Sequence, residues 1–354
     1  MLLLLAGLSQ LERASINPQG MSFQIGRDNR CTDTLEDCSV LAHGNLTGCA
    51  EDFAVLMGCP STCGACNYYS LVRDAFKCDD THENCGAWAR SGECDANPRY
   101  MKQNCPSACG TCEAKRTGCN RVNTTSALLP HGMSRMFERA LSDFEHFSPV
   151  VLSRDPWVLQ LDNLIDAAEA EAFAGACKKF DRSLAGDQLS PVRTSTQCWC
   201  SEKECMQHPA VTSLTERMLN ISMVPYNNAE YFQVLKYEPG QFYKAHHDQQ
   251  SGHWTPQGVR LYTFFVYLSD VEEGGGTRFT ELDIVVTPKL GRGILWPSVF
   301  EHDLRTSDKR TSHEALPVVK GIKIAANLWQ HLYDFKTPSS TGLCVFLGQN
   351  SNHN

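Results

Sequence analysis

The sequence lacks the features that would mark it as a membrane-spanning protein or as a broadly nucleic-acid-binding one. No stretch approaches the roughly 18 consecutive apolar residues that a membrane-spanning helix needs. Positive charge is not in excess, because 32 Lys and Arg residues stand against 40 Asp and Glu, a net charge of −8. This balance argues against broad binding to nucleic acids or acidic membranes. The apolar start MLLLLAGLSQ lacks a basic region, and we interpret residues 1–30 as an N-terminal segment, either a signal or anchor remnant or a poorly ordered end.

Cysteine, by contrast, is abundant and unevenly distributed. Twelve of the 18 cysteines lie between Cys31 and Cys112. Dense cysteine in a short segment indicates disulfides and an oxidising compartment. Three glycosylation sequons, which begin at Asn45, Asn123 and Asn220, fit the same secretory route.

The cysteine-rich segment contains two copies of a six-cysteine unit, at 31–66 and 78–112. The intervening residues number 6, 10, 9, 3 and 2 in the first copy and 6, 8, 10, 3 and 2 in the second. Both copies end in nearly the same phrase, CPSTCGAC and CPSACGTC. Zinc sites use sets of four ligands, so six cysteines without matching histidines favour three disulfides per unit. Units this small need such cross-links, each typically worth ~2–4 kcal/mol, because they cannot build an adequate core.

The second copy, CDDTHENCGAWARSGECDANPRYMKQNCPSACGTC, closely resembles the ShKT domain. The resemblance implies that the first cysteine pairs with the sixth, the second with the fourth and the third with the fifth. The implied pairs are Cys31–Cys66, Cys38–Cys59, Cys49–Cys63, Cys78–Cys112, Cys85–Cys105 and Cys94–Cys109. The first copy lacks the WAxxGxC and NPxYM phrases, so we describe it as ShKT-like. Both units are expected to serve as binding modules or spacers.

A larger domain is expected at 151–336, between a linker at 113–150 and a C-terminal tail at 337–354. In the linker, MSRMFERALSDF is expected to form one short helix. In the domain, Asp166 and Glu169 have the spacing of a helix capping box. The β-rich phrases that follow are YFQVLKY, VRLYTFFVYLSD, LDIVVTP, GILWP and GIKIAANLW. This order predicts a mainly β sandwich or jelly roll with flanking helices.

Histidines and an aspartate cluster in QFYKAHHDQQSGHW, residues 241–254. If a strand runs through YKAHHD, His246 and Asp248 project to one face and His247 to the other. His-x-Asp would supply two ligands of the 2-His-1-carboxylate triad that holds Fe(II) in non-haem oxygenases. The third ligand must be a distant histidine. The downstream candidates are His253, His302, His313 and His331.

His313 is favoured by the phrase that it begins, HEALPVVKGIK. Pro317 and Gly321 can turn the chain, and Lys323 then enters the strand GIKIAANLW. A buried lysine near a metal requires an anion such as a dicarboxylate co-substrate, because burial alone would be costly or remove its proton. Alternatively, His-x-Asp could be only a polar turn and Lys323 a solvated charge at the end of a strand. That interpretation would be preferred for His-x-Asp alone, but a later histidine followed ten residues on by a lysine makes the metal site the better interpretation.

Residues from about 155 to 336 are similar to the catalytic domain of the prolyl 4-hydroxylases, which depend on Fe(II) and 2-oxoglutarate. The phrases that carry the resemblance are RTST, QVLKYEPGQFYKAHHD, VRLYTFFVYLSDVEEGGGTRF, GRGILW and HEALPVVKGIKIAANLW. The resemblance implies a double-stranded β-helix fold, in agreement with the jelly-roll prediction. The iron ligands that it implies are His246, Asp248 and His313.

The resemblance also implies roles for residues around the metal. Lys323 would bind the distal carboxylate of 2-oxoglutarate, and Tyr237 and Thr277 would help to hold it. The residues that would line the peptide groove are Arg193, Tyr243, Arg260 and Trp329. Of these, Arg260 and Tyr243 are the expected catalytic residues. The chain departs from the family at two places. Gln249-Gln250 replace an aromatic pair after His-x-Asp, and Ile324 replaces the tryptophan that commonly follows the lysine. Both departures affect the expected substrate preference more than the expected reaction.

The implied function is a procollagen-type peptidyl-proline 4-hydroxylase of the endoplasmic reticulum or wider secretory pathway. It would use Fe(II), O2, 2-oxoglutarate and L-ascorbate and release succinate and CO2. The expected partner is a proline-rich peptide or protein in the polyproline II form, with no nucleic acid and with membrane association only through an N-terminal segment. The alternatives are hydroxylation of another side chain such as lysine, or a ShKT binding protein with a silent oxygenase domain. Lysyl hydroxylases generally have arginine where this chain has Lys323, and the intact triad disfavours a silent domain.

Six cysteines lie outside the repeats. A disulfide is expected between two of Cys198, Cys200 and Cys205, with Cys177 or Cys344 as partner of the third. Cys119 has no obvious partner.

Overall fold

The computed structural model describes residues 31–43, 48–66, 78–112, 121, 125–183, 191–249 and 255–340. Several sequence predictions lie outside the described residues, namely those on segment 1–30, Asn45, Cys119, Asn123, Gln250, His253 and Cys344. Within the described residues, no helix is both long and apolar enough to span a bilayer.

Each six-cysteine unit consists of short helices held together by three disulfides. The helices are α1 (Cys38–Leu41), α2 (Gly48–Glu51) and α3 (Phe53–Gly58) in the first unit, and α4 (Cys85–Arg90), α5 (Glu93–Ala96) and α6 (Pro98–Asn104) in the second. The pairs are Cys31–Cys66, Cys38–Cys59, Cys49–Cys63, Cys78–Cys112, Cys85–Cys105 and Cys94–Cys109. The pairing implied by the ShKT resemblance is therefore confirmed in both units.

An aspartate two residues after the first cysteine fixes the same turn in each unit. Asp33 accepts hydrogen bonds from the backbone amides of Ser61 and Thr62 at 2.9 and 3.1 Å. Asp80 accepts from the amides of Ser107 and Ala108 at 2.9 and 3.0 Å. The two units thus share local structure as well as connectivity.

The larger domain is built mainly from strands. The strands are β1 (Pro149–Arg154), β2 (Trp157–Leu161), β3 (Asp181–Arg182), β4 (Thr196–Trp199), β5 (Gln233–Tyr237), β6 (Tyr243–His246), β7 (Arg260–Tyr267), β8 (Glu273–Gly274), β9 (Thr277–Phe279), β10 (Ile284–Val286), β11 (Gly293–Pro297), β12 (His313–Ala315), β13 (Val318–Lys320) and β14 (Lys323–His331). The helices are α7 (Met133–Asp143), α8 (Ala167–Ala176), α9 (Lys203–Met206), α10 (Pro209–Ser222) and α11 (Lys336–Ser340). Each β-rich phrase in the sequence coincides with all or most of one of these strands, as predicted.

The strands form a large and a small antiparallel sheet plus one short pair. The large sheet has eight strands in the order β1-β2-β11-β7-β14-β5-β4-β3, and the small sheet has four in the order β10-β9-β12-β6. Strands β13 and β8 pair separately. The mainly β architecture with flanking helices agrees with the predicted double-stranded β-helix.

Alternation along β7 separates the two faces of the large sheet. Phe264 and Val266 belong to the main core, which they share with residues of α7, α8 and α10. Phe265 and Tyr267 belong to a second cluster, which includes Phe279 of the small sheet. Successive side chains of a strand point to opposite faces, so one face of this sheet packs against helices and the other faces the small sheet.

Helix α7 corrects the predicted linker at 113–150. The helix forms where it was expected, but Met133, Met136, Phe137 and Ala140 are buried in the main core. Their spacing places them on one helical face, which packs on the sheet. Residues from 133 onward therefore belong to the larger domain rather than to a connecting segment.

Two disulfides cross-link the larger domain. Cys177 pairs with Cys198, and Cys200 pairs with Cys205. The predicted disulfide among Cys198, Cys200 and Cys205 is confirmed, with Cys177 as partner of the remaining cysteine.

The cap of α8 gives a test of this local structure. The Asp166 carboxylate accepts a hydrogen bond from the Glu169 amide at 2.8 Å. We expect Asp166→Ala to lower the free energy of unfolding by about 1 kcal/mol, because the amide loses its acceptor. Asp166→Asn, which keeps an oxygen in place, should remain within a few tenths of a kcal/mol of the wild type. Urea unfolding followed by tryptophan fluorescence measures both; equal losses in the two variants would rule out the cap as the cause.

Candidate functional site

Two histidines and an aspartate meet where β6 pairs with β12. His313 lies directly opposite His246 in the antiparallel register. Potential ligand atoms of His246, Asp248 and His313 lie within 4.8 Å of one another. Asp248 Oδ1 lies 3.8 Å from His246 Nε2, and Asp248 Oδ2 lies 3.5 Å from His313 Nε2. Strand pairing thus brings together the three residues that the sequence singled out.

Backbone carbonyls orient both imidazole rings. His246 Nδ1 lies 2.9 Å from the Lys244 carbonyl, and His313 Nδ1 lies 3.0 Å from the Thr311 carbonyl. A carbonyl oxygen can only accept, so both Nδ1 atoms carry the proton and both Nε2 atoms keep a free lone pair. Metal-binding histidines commonly have this arrangement.

The charges of the cluster also suit a metal. Burial, together with the nearby His313, lowers the pKa of His246 to about 3, so its ring is neutral at pH 7. The two histidines and the Thr263 hydroxyl, which donates to Asp248 Oδ2 at 2.7 Å, hold the pKa of Asp248 below its usual value despite burial. Two imidazoles that present Nε2 and one carboxylate are the donor set that non-haem Fe(II) takes. The cluster therefore fits Fe(II).

Lys323 lies in the same pocket as the cluster. It begins β14 opposite Tyr237 of β5 and is 1% exposed. Its ammonium group lies 5.1–5.4 Å from the ring centres of Tyr237, Phe265 and Tyr267. Burial lowers its pKa to about 7, and no carboxylate among the described residues forms a salt bridge with it. An anion in the pocket would satisfy this ammonium group.

Tyr237 and Thr277 also line this pocket. Burial raises the pKa of the Tyr237 phenol, so it is a neutral hydrogen-bonding group. The Thr277 hydroxyl is hydrogen-bonded to the Tyr267 phenol at 2.7 Å. Both residues therefore line the same pocket as Lys323, with the Thr277 hydroxyl already engaged by a protein partner.

Arg193 and Tyr243 line the other part of the pocket. The Tyr243 ring stacks on His246, with 3.7 Å between ring centres. The Arg193 guanidinium lies 4.7 Å above the same ring and donates to the Gln233 side chain at 3.1 Å. One predicted groove residue, Tyr243, thus packs directly against a metal-ligand candidate, and Arg193 packs on the Tyr243 ring.

Arg260 and Trp329 are held by a buried ion network that the sequence did not reveal. Arg260 Nε and Nη2 donate to the Glu230 carboxylate at 2.6 and 3.1 Å, and His331 Nε2 lies 2.7 Å from the same carboxylate. Arg260 Nη1 donates to the Asp248 carbonyl at 3.0 Å, and its guanidinium lies 4.0 Å over the Trp329 ring. Arg260 and the attached hydrogen bonds lower the pKa of Glu230 to about 2 despite burial. The network fixes the backbone next to Asp248.

The other histidines near the site have different positions. His247 faces away from the cluster, as predicted, and its Nε2 donates to the Asp308 carbonyl at 2.9 Å. Its Nδ1 accepts from the Gln249 amide at 3.1 Å. His302 and His331 do not belong to the three-residue cluster found among the described residues. His247 therefore ties the end of β6 to the loop that precedes β12.

Two protein-family models match the chain. Residues 232–331 match the 2OG-Fe(II) oxygenase superfamily, and residues 77–112 match the ShK domain-like family. The second six-cysteine unit is thus a ShK domain, while the first shares its disulfide pairing without a match of its own. The fold and the pocket, together with this match, define the larger domain as a 2OG-Fe(II) oxygenase.

Known relatives narrow this class. The chain is 30% identical over 179 residues to a putative prolyl 4-hydroxylase of Acanthamoeba polyphaga mimivirus, covering 48% of this chain and 72% of the relative. It is 34% identical over 187 residues to prolyl 4-hydroxylase subunit alpha-2 of Gallus gallus, covering 50% of this chain but 34% of that protein's length. Among solved structures, the chain is similar to the viral collagen prolyl hydroxylase of Paramecium Bursaria Chlorella virus-1 in complex with 2OG. The two are 31% identical, the match covers 49% of this chain and 95% of that chain, and the TM-score is 0.41. The mimivirus relative, of which 72% is covered at 30% identity, shows that the chain belongs to the prolyl 4-hydroxylase family.

Family membership implies Fe(II) as the metal and 2-oxoglutarate as the co-substrate, and the pocket has suitable groups for both. Disulfides in both parts of the chain are typical of a protein of the secretory pathway.

The buried lysine makes stability depend on pH in a defined direction. Its pKa is about 7 in the folded chain, against 10.5 for an ordinary lysine. Between these values the unfolded chain binds more protons, so the wild type becomes more stable as pH rises, by at most about 1.4 kcal/mol per unit. We expect Lys323→Met to be more stable than the wild type at pH 6.5, and the difference to shrink at pH 8.5.

Urea unfolding at the two pH values, without 2-oxoglutarate, measures this difference. Lys320→Met removes an exposed lysine from the neighbouring strand and controls for net charge. If the free energies of unfolding of Lys323→Met and the wild type differed by the same amount at both pH values, the lowered pKa assigned to Lys323 would be wrong.

Proposed function

We propose that this protein is a peptidyl-proline 4-hydroxylase that uses Fe(II), O2 and 2-oxoglutarate to hydroxylate proline in proline-rich secretory proteins of the procollagen type. The observation that carries the proposal is one pocket that holds both a 2-His-1-carboxylate cluster and a buried lysine without a carboxylate partner among the described residues. A metal with three protein ligands and a dicarboxylate co-substrate would satisfy both halves of this pocket.

In this proposal, three residues hold the metal and a fourth holds the co-substrate. His246 and His313 present Nε2, and Asp248 presents a carboxylate oxygen that the Thr263 hydroxyl orients. Lys323 binds the distal carboxylate of 2-oxoglutarate, and carboxylate binding keeps the lysine protonated although burial alone lowers its pKa. When bound, Fe(II) with 2-oxoglutarate and O2 supplies the oxidation that replaces a C–H bond by C–OH, with release of succinate and CO2.

Tyr237 and Thr277 are proposed to position the co-substrate next to Lys323. The Tyr237 ring lies 5.1 Å from the lysine nitrogen and restricts where an anion can bind. Thr277 lies on β9 opposite Ala315, two residues after His313. Both residues line the shared pocket, where they exclude water from around the carboxylate.

The remaining groove residues are proposed to bind the peptide. Tyr243 and Trp329 present aromatic surfaces, which suit a proline-rich chain in the polyproline II form. Arg193 and Arg260 hold these rings through contacts of 4.7 and 4.0 Å. Tyr243 and Arg260 also contact metal-ligand residues, so we assign them catalytic importance: they align the target proline with the metal. The endoplasmic reticulum, where disulfides form, is the proposed location.

The direct test is mass spectrometry of a proline-rich peptide panel incubated with Fe(II), 2-oxoglutarate, ascorbate and O2. We expect one added oxygen on proline, formed in amounts that match the succinate released. The product should disappear without iron or 2-oxoglutarate and in the variant His313→Ala, which lacks one metal ligand. His302→Ala, which lies outside the cluster, is the matched control and should retain activity.

Two results would overturn the proposal. Oxygen added to lysine rather than proline would support the alternative hydroxylase. A wild type that binds Fe(II) but modifies none of the peptides, and releases no succinate in their presence, would support a silent oxygenase domain.

Lys323 gives a second test that concerns 2-oxoglutarate alone. Lys323→Met should raise the KM for 2-oxoglutarate by about 100-fold, because a charge-assisted contact worth roughly 3 kcal/mol is lost. The KM for the peptide should change by less than about threefold, since the methionine preserves side-chain volume. Steady-state assays with each substrate varied in turn separate the two constants. Equal increases in both would show that the variant damages the whole pocket instead.

A further inference from the structure

We propose that Trp199 is a specificity-determining residue that contacts the peptide next to the target proline, and that the disulfides Cys177–Cys198 and Cys200–Cys205 position it. This inference rests on the proposed function and extends it. Trp199 ends β4 and lines the pocket that holds the His-Asp-His cluster.

Trp199 and Trp329 form a continuous aromatic surface in this pocket. Their ring centres are 6.0 Å apart, with the planes inclined by 41°. Trp199 is partly exposed, whereas Trp329 is 6% exposed. An additional ring beside Trp329 enlarges the apolar surface that a peptide can cover, beyond the part adjacent to the metal ligands.

Polar groups beside the two rings can engage a peptide backbone. Trp329 Nε1 is buried and has no hydrogen-bond partner among the described residues. The Gln197 side chain, two residues before Trp199 on the same strand face, accepts from Gln233 Nε2 at 2.7 Å. All four residues line the pocket. The Trp329 indole N–H, which has no acceptor among the described residues, lies in the same pocket as the Gln197 and Gln233 side-chain amides. This arrangement suits an extended peptide whose backbone carbonyls can accept hydrogen bonds.

The two disulfides flank Trp199 in sequence and lie on the opposite face of the strand. Cys198 and Cys200 are buried in the main core, at 8% and 1% exposure, while Trp199 between them lines the pocket. Cys198 is linked to Cys177, the residue that follows α8, and Cys200 is linked to Cys205 in α9. The backbone is thus covalently attached to the C-terminal end of α8 on one side of Trp199 and to α9 on the other.

Such anchors matter because β4 lies close to the edge of the large sheet. Among the described residues, only β3 lies beyond it. The two residues of β3 pair with Gln197 and Thr196, so none of the described strands pairs with Trp199 on that side. On its inner side Trp199 pairs with Gln233 of β5. Edge positions open more readily than central ones. Cross-links on both sides therefore restrict the movement of the tryptophan and lower the ordering cost of peptide binding.

The test measures binding of a fluorescently labelled proline-rich peptide by anisotropy, without turnover. The protein is the full chain with Fe(II) and 2-oxoglutarate under anaerobic conditions. We expect Trp199→Ala to raise the peptide Kd by about 10- to 30-fold and Trp199→Phe to raise it by less. The affinity for 2-oxoglutarate should remain unchanged in both, which shows that the pocket is folded. Trp88→Ala, which removes a tryptophan of the ShK domain, is the matched control and should leave the Kd unchanged.

A double-mutant cycle tests the role of the disulfides. The paired substitution Cys200→Ser with Cys205→Ser should raise the peptide Kd about three- to tenfold when Trp199 is present. In the Trp199→Ala background the same substitutions should have no further effect, because the tryptophan that they position is gone.

Each contrary result has a defined meaning. If the wild type binds and hydroxylates the peptide but Trp199→Ala binds it equally tightly, this inference is wrong and the proposed function stands. An equal effect of the disulfide substitutions in both backgrounds would contradict positioning through Trp199. If Trp88→Ala alone weakens binding, peptide recognition lies in the ShK domain instead. A wild type that neither binds nor modifies any proline-rich peptide contradicts the proposed function itself.

Discussion

The pairing of β6 with β12 is the constraint on which the site depends. It places His246 opposite His313, although the two residues are far apart in sequence. Asp248 follows just beyond the end of β6, and Thr263 of the large sheet donates a hydrogen bond to its carboxylate. The small sheet thus supplies the histidines and the large sheet orients the carboxylate. A shift of one residue in this register would turn the ligands to opposite faces.

The buried charges of the larger domain fall into two groups with different partners. Glu230, Arg260 and His331 satisfy one another through bonds of 2.6–3.1 Å and hold the backbone beside Asp248. Lys323 is surrounded by aromatic rings, and none of the carboxylates of the described residues forms a salt bridge with it. Burying a charge without a partner is costly. The first group therefore maintains the structure, while the second would need an anionic ligand for compensation, which agrees with the co-substrate site that we propose.

The sequence predicted those features that depend on local periodicity or on strongly restricted spacing. Alternation along YKAHHD predicted that His246 and Asp248 lie together and that His247 points away. The side chains have this arrangement although β6 ends at His246. The ShKT resemblance implied all six disulfides of the repeats. The Glu230 network could not be predicted, because its members come from separate parts of the chain and meet only after β14 pairs with β7. The assignment of 113–150 as linker was wrong for α7. The sequence shows an apolar helical face there, but not that this face packs against the large sheet. The roles given to the site residues stay predictions, because shared lining of a pocket does not establish what each residue binds. They comprise the iron ligands His246, Asp248 and His313, the co-substrate residues Lys323, Tyr237 and Thr277, and the groove residues Arg193, Tyr243, Arg260 and Trp329.

The central claim is that one pocket binds Fe(II) through three protein ligands and 2-oxoglutarate through Lys323. The most direct measurement is a crystal structure of the full chain grown anaerobically with Fe(II) and 2-oxoglutarate, with anomalous data collected at the iron edge. We expect an iron peak bound by His246, Asp248 and His313, and a carboxylate within hydrogen-bond distance of Lys323 Nζ. An iron peak on any other set of residues, or a 2-oxoglutarate molecule bound away from Lys323, would contradict this claim.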